Sequence, residues 1–263
     1  QSNPELASDF EPAASQLHRE YISIDNSNTG SDLKPAVIVS VPGLESAYLQ
    51  ILGNCDVPKY HPDYFALEVL NEVMSRTEGV LYSEIRGKGL SYGASIYNRV
   101  WEGKLILNIS ESPEPQLAYE AFCHLLDRME PEVIGSGNTN SNIMFLDTKA
   151  LQTARSCVTF NLHDAKRTND AAFKSVIRSF ALGMQTSMEE DVALETRLDQ
   201  VDVSAVKRVF KEYLLPLRNG SHRLIVVVCN PGAVERIQSG FLKCKYPVDL
   251  DHMTLSDIVK TFI

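Results

Sequence analysis

Residues 61–97 read HPDYFALEVLNEVMSRTEGVLYSEIRGKGLSYGASIY, and the hydrophobic period changes within them. From Pro62 to Arg76, Phe65, Val69, Leu70 and Val73 share one face at helical spacing; Pro62 suits a first turn, Asp63 the positive helix end, and Gly79 follows the stop. LYSEIR continues as a short helix. Four glycines then punctuate the sixteen residues from Glu78 to Gly93, and Arg86 and Tyr92 stand six apart among them. From Ser91 the pattern alternates as a strand, SYGASIY, which a short link from Asn98 to Gly103 joins to a second, KLILNIS. A helix thus feeds a glycine-rich bend, and the bend feeds a hairpin.

Upstream, AVIVSV is closed by Pro42-Gly43 and followed by SAYLQIL, where Tyr48, Gln50 and Leu52 face one way and Leu49 and Ile51 the other: two neighbouring strands. YISI before a turn-rich NSNTGSD reads as an earlier strand. Downstream of Ser112-Pro113, Leu117, Ala121, Phe122, Leu125, Leu126 and Met129 mark a second amphipathic helix. Residues 134–142 form a loop. Helical periodicity resumes from Phe145 to about Gly183 with a break near Arg167, and returns where Val203, Val206, Val209, Phe210, Tyr213 and Leu214 recur; HRLIVVVCNPG is a buried strand. Strands and helices do not alternate as βαβ units, so the expected class is α+β, helices packed on one face of a mainly antiparallel sheet. Its expected core is Val37, Leu52, Phe65, Val69, Leu70, Leu105, Leu107, Phe122, Leu125, Val226 and Val228. Residues 1–34 are read as a linker and first strand region, and 35–263 as the α/β domain.

The 263 residues carry a formal charge of -9, which argues against nucleic acid or an anionic membrane as the partner. No apolar run approaches the ~20 residues of a membrane span. The chain starts QSNPELASDFEPAAS, without methionine or a signal-like apolar segment, and reads as a piece of a longer protein. Five cysteines, odd in number and with no CxxC pair, suit reduced and mostly buried thiols inside a cell. Asn108 and Asn219 open triplets that match glycosylation acceptors by chance, the first inside an alternating apolar run.

Several chemistries lack their residues. Neither HExxH nor HxxEH occurs, so no helical turn presents a zinc pair. His124 with Asp127 reads as a boundary histidine beside a solvated acid, and His163-Asp164 has no GxSxG elbow to serve. RGKGLSYG fails as a phosphate loop because Lys88 is followed by Gly89, and as a dinucleotide fingerprint because its glycines precede a strand. What remains is a bend displaying Tyr92 beside small residues, together with Arg86, whose planar fork suits carbonyl or carboxylate oxygens. The plain alternative is a helix-to-strand connector with an exposed arginine.

EGVLYSEIRGKGLSYGASI, with the helix before it and the later MEEDVALETRLDQVDVSAVKRVFKEYLLPL and LIVVVCNPG, resembles the pitrilysin, insulysin and presequence-protease family of inverted-motif zinc metallopeptidases, from about Pro35 to Ile263. The resemblance implies four homologous α/β units forming two halves that close around a peptide. Zinc and its HxxEH helix sit in the first unit, while the last supplies an arginine and a tyrosine, here Arg86 and Tyr92, to substrate carbonyls as the chamber closes. Gly89 and Gly93 are expected to let the peptide backbone approach. With the ligands missing from the helix Pro62 to Arg76, the chain is expected to be the C-terminal, non-catalytic unit. It would hold no cofactor itself, the zinc lying in the N-terminal half of its parent. Expected partners are that catalytic half and an unstructured peptide, in the cytoplasm or mitochondria, with no nucleic acid and no membrane. Two alternatives stand beside this one: an inactive scaffold or recognition subunit of the same family in a stable complex, and a free module that binds peptides on an exposed strand edge.

Overall fold

A computed structural model describes residues 36–59, 61–134, 146–164, 166–181, 195–219 and 223–262. The chain divides into two compact units, one comprising Asp32–Ala154 and Asp202–Ile263, the other including Arg155–Val201. The expected boundary at residue 34 and the YISI strand lie outside the described residues, as does the loop at 135–142.

The larger unit is built on a six-stranded mixed sheet in the order β3-β4-β2-β5-β1-β6. Its strands are β1 (Ala36–Ser40), β2 (Ala47–Asn54), β3 (Gly93–Arg99), β4 (Lys104–Ser112), β5 (Arg223–Cys229) and β6 (Asp251–Thr254). Three of the five pairings are antiparallel, β3 with β4, β4 with β2 and β2 with β5, while β1 runs parallel to both β5 and β6. The expected α+β class is therefore the observed one. One expectation is corrected: β1 and β2, consecutive in sequence, do not pair, because β5 lies between them and takes Val226 opposite Val37 and Gln50. The apolar run of β5 satisfies backbone groups on both sides at once.

Alternation in β2 sorts the two faces of the sheet. Leu49, Ile51, Leu107, Ile109, Ile225 and Val227 are buried and lie in register across β4, β2 and β5. Helices meet this face. Leu217, on the short α6 (Pro216–Asn219), packs so close over Gly53 that a Cβ there would stand 2.5 Å from its Cδ2 and oblige the leucine side chain to move. Helix α1 (Tyr64–Ser75) packs against β3, where Ser75 Oγ accepts from the Ile96 N–H at 2.7 Å and donates to its carbonyl at 3.2 Å. Leu52, Val226 and Val228, expected in the core, prove only half-buried because they stand on the opposite face with Gln50 and Asn108. That face also resolves Asn108, whose amide oxygen accepts from Gln50 at 3.0 Å.

Two more helices complete the support. The twenty-residue α2 (Pro115–Ile134) buries Ala118, Tyr119, Phe122, Leu125, Leu126 and Met129. Helix α5 (Val203–Val209) starts on Asp202, whose carboxylate accepts from the Ala205 N–H at 2.7 Å, and runs into a π turn over Phe210–Leu214. Asp63 makes no such cap on α1. Its buried carboxylate instead takes the Arg208 guanidinium and, at 3.5 Å, the Tyr213 hydroxyl, tying α1 to the segment 203–214. Beyond β5, α7 (Val234–Lys243) buries Val234, Ile237 and Phe241, and α8 (Leu255–Phe262) follows β6; these three elements were not read from the sequence. The expected long helical region is two helices, α3 (Thr148–Asp164) and α4 (Asn169–Ala181), broken where the sequence placed the break.

Candidate functional site

The bend between α1 and β3 is held from beneath and open above. Leu81 and Ile85 are fully buried, so the helical turn that carries them presents Tyr82 and Arg86, four residues apart, on its outer side. Over Tyr82–Arg86 that turn widens to a π turn: the Gly87 N–H reaches the Tyr82 carbonyl at 2.7 Å and the Leu90 N–H reaches that of Ile85 at 3.0 Å. Such insertions are frequent at functional sites. Gly89, at φ +71°, then reverses the chain, with open space where a side chain would begin. Gly93 is needed for a different reason, since a Cβ there would stand 2.7 Å from Ser110 Oγ.

This geometry brings Arg86 and Tyr92 together. The guanidinium carbon lies 4.8 Å from the centroid of the Tyr92 ring and 5.4 Å from that of Tyr82, within cation–π range of both. Tyr92 is 63% exposed, and Arg86 is exposed as well. The neighbouring cations are occupied: Glu84 takes Lys88 at 2.6 Å and Arg128 at 2.5 Å. Partial burial raises the Glu84 pKa, but the hydrogen bonds from Lys88 and Arg128 outweigh it and hold the carboxyl below its ordinary value. Arg86, by contrast, has no carboxylate partner among the described residues. Chemically, an accessible guanidinium stacked on phenol rings can donate to carbonyl or carboxylate oxygens.

Other chemistries find no support. Among the described residues no three histidine, cysteine, aspartate or glutamate side chains are grouped to hold a metal ion. On α1, half-buried Glu68 is pushed up to about 7 by burial and then by the charge of Glu72. Burial pushes the Cys55 and Cys123 thiols up to about 12 and that of Cys244 to about 11, which removes the thiolate a nucleophile requires. His124 is exposed, 3.9 Å from both Glu120 and Asp127, but Asp127 is not the solvated acid expected beside it: it is half-buried and takes Arg218 and Lys245.

Comparison with known proteins bears directly on this bend. Residues 26–132, which contain α1, the Arg86 turn and the β3–β4 hairpin, match the family described as the peptidase M16 inactive domain. That stretch, less than half of the chain, is similar to peptidase M16 inactive domains. The M16 fold is also found in solved structures: an M16-like peptidase from Alicyclobacillus acidocaldarius aligns over 75% of this chain and 45% of its own at a TM-score of 0.56 and 14% identity. An inactive peptidase domain from Bordetella parapertussis aligns over 71% of this chain and 92% of its own at a TM-score of 0.53 and 13% identity. At such identities the likeness is one of fold. Among curated proteins, the uncharacterized protein YOL098C of Saccharomyces cerevisiae is 22% identical over 225 residues, and C05D11.1 of Caenorhabditis elegans is 26% identical over 93. The yeast match takes in 84% of this chain, which spans only 20% of that relative's length.

Tyr82 was not singled out in the sequence, although its place four residues before Arg86 on a helical turn was a usable signal. Glu111 and Ser112, which touch the bend from β4, had no such signal, because their contact is long-range.

Proposed function

We propose that this chain is the C-terminal, substrate-contacting, non-catalytic domain of an M16 peptidase and that Arg86 and Tyr92 meet the backbone of a bound peptide. The observation that carries the proposal is the accessible stack of the Arg86 guanidinium on the Tyr92 ring, held on a glycine-bounded bend with no internal carboxylate partner among the described residues. A catalytic half would supply the zinc and the attacking water. This chain's residues bind and orient: the Tyr92 hydroxyl donates to a peptide carbonyl oxygen as negative charge builds on it, and Arg86 holds a neighbouring carbonyl or a terminal carboxylate. Gly89 keeps the approach free of a side chain, since nothing lies within 4 Å of its missing Cβ, while Gly93 lets β3 sit close to Ser110. Because the donors and the metal belong to different halves, turnover would depend on closure.

A peptide added to a strand edge of this chain alone is less well supported. On β3, an edge strand of the sheet, the Ile96 N–H and carbonyl are already engaged by Ser75 Oγ, which plugs the ladder a guest strand would need.

The test is turnover of an unstructured peptide by the complete peptidase. Tyr92→Phe and Arg86→Ala are each expected to lower kcat/KM by about 10²–10³, the usual effect of losing one preorganised donor, with folding unchanged. Native turnover in both variants would refute the assignment and leave an inactive scaffold as the better description.

A further inference from the structure

The first half of the bend that carries Arg86 and Tyr92 is held by its own backbone bonds, from Gly87 to Tyr82, Gly89 to Arg86 and Leu90 to Ile85. Two glycines, Gly87 and Gly89, lie within it, and both are exposed along with Lys88. Leu90 and Tyr92 are tied in addition by the last two residues of β4, about twenty positions downstream. Ser112 is fully buried and donates its hydroxyl to the Leu90 carbonyl at 2.6 Å. One residue earlier, the Glu111 carbonyl accepts the Tyr92 N–H at 3.3 Å. To present its carbonyl there, Glu111 adopts φ +52°, a left-handed conformation that a non-glycine residue avoids and that persists where the surroundings over-determine it. The pairing of β4 with β2 slips in register at this point, between Ala47 and Leu49, which frees the corner of β4 to turn toward the bend. Between the two ties Ser91 is buried, and its hydroxyl donates to the Gly93 carbonyl at 3.0 Å.

We propose that the Glu111–Ser112 corner of β4 is the positioning element of the peptide-binding pair, with Ser112 as its positioning residue. The corner fixes the carbonyl of Leu90 and the amide of Tyr92, which bracket Ser91, so the Tyr92 ring stands where the Arg86 guanidinium can stack on it. Ser112 touches no substrate. It acts through the backbone, and its loss leaves the fold in place while the Tyr92 phenol samples a wider range of positions. The inference rests on the reading of Arg86 and Tyr92 as substrate contacts.

The experiment is a double-mutant cycle in the complete peptidase combined with amide hydrogen exchange. Ser112→Ala removes one atom from a buried site and is expected to lower kcat/KM by about three- to tenfold, the scale of one net hydrogen bond. The loss should fall on kcat rather than KM, with Ser112→Thr restoring part of it. In a Tyr92→Phe background the same change should cost nothing further, because the group being positioned is already gone. Exchange at the Leu90 and Tyr92 amides should quicken while that at Ile96, tied by Ser75, stays native. Multiplicative losses in the cycle, or unchanged exchange in the bend, would overturn the positioning role. If Tyr92→Phe and Arg86→Ala are themselves silent, the functional reading falls and this proposal with it; if they are damaging and Ser112→Ala is additive, only this proposal falls.

Discussion

Arg86 and Tyr92 stand six residues apart, yet their contact depends on groups that the spacing does not reveal. The bend needs a left-handed residue at Gly89, and because nothing lies within 4 Å of its missing Cβ, the cost of filling that position is purely conformational. Gly89→Ala is expected to destabilise the fold by about 1 kcal/mol and Gly89→Asn by less, measured by urea unfolding. Gly93 differs because its constraint is contact with Ser110 Oγ. Gly93→Ala is therefore expected to be costly alone and largely relieved by Ser110→Ala, a coupling that a thermal-unfolding cycle reads directly. At this scale the sequence made the two displayed side chains legible, since glycines, an arginine and a tyrosine in a helix-to-strand bend are local features. Neither Tyr82 beneath the guanidinium nor the Glu111–Ser112 corner was read, the latter because the partner comes from the far end of a hairpin.

Among the elements, α1 shows both what local pattern establishes and what it omits. Its apolar face was legible from Phe65, Val69, Leu70 and Val73, all now buried. The role of Asp63 was not, for its carboxylate serves Arg208 and Tyr213 across the fold rather than the helix end. Glu68 on the same helix makes stability pH-dependent in a definite direction. Its folded pKa of about 7 lies above the ordinary glutamate value near 4.3, so the folded chain binds more protons between the two. Stability is thus greatest below the unfolded value and falls as pH rises toward 7. Glu68→Gln should stabilise the protein at pH 8, by on the order of 2 kcal/mol, and change little at pH 4, as followed by melting temperature. The strands teach a similar lesson. Alternation in β2 was legible, but the insertion of β5 between β1 and β2 is a non-local pairing, which is why Leu52, Val226 and Val228 were assigned to the wrong face.

Across the whole larger unit, the segments far apart in sequence are tied by a charge cluster around Arg218. The buried guanidinium donates to Asp127 and Glu130 on α2, each at 2.7 Å, and Asp127 also takes Lys245 at 2.6 Å and the Tyr246 hydroxyl at 2.7 Å. Partial burial raises the Asp127 pKa, but these donors and the nearby Arg218 charge outweigh it and hold the carboxyl below the usual aspartate value. Arg218→Ala leaves carboxylates half-buried without their inner partner and is expected to cost about 3–5 kcal/mol in denaturant unfolding. The cluster joins α2, α6 and the chain after α7, and so braces the helical layer beneath the sheet from which the Arg86 bend projects. The most direct test of that bend's purpose is a photo-cross-linking amino acid in place of Tyr92, a position exposed enough to accept one. With the complete peptidase and an uncleaved peptide, illumination is expected to yield a peptide adduct at position 92. Labelling confined to the catalytic half, with none at position 92, would contradict the account.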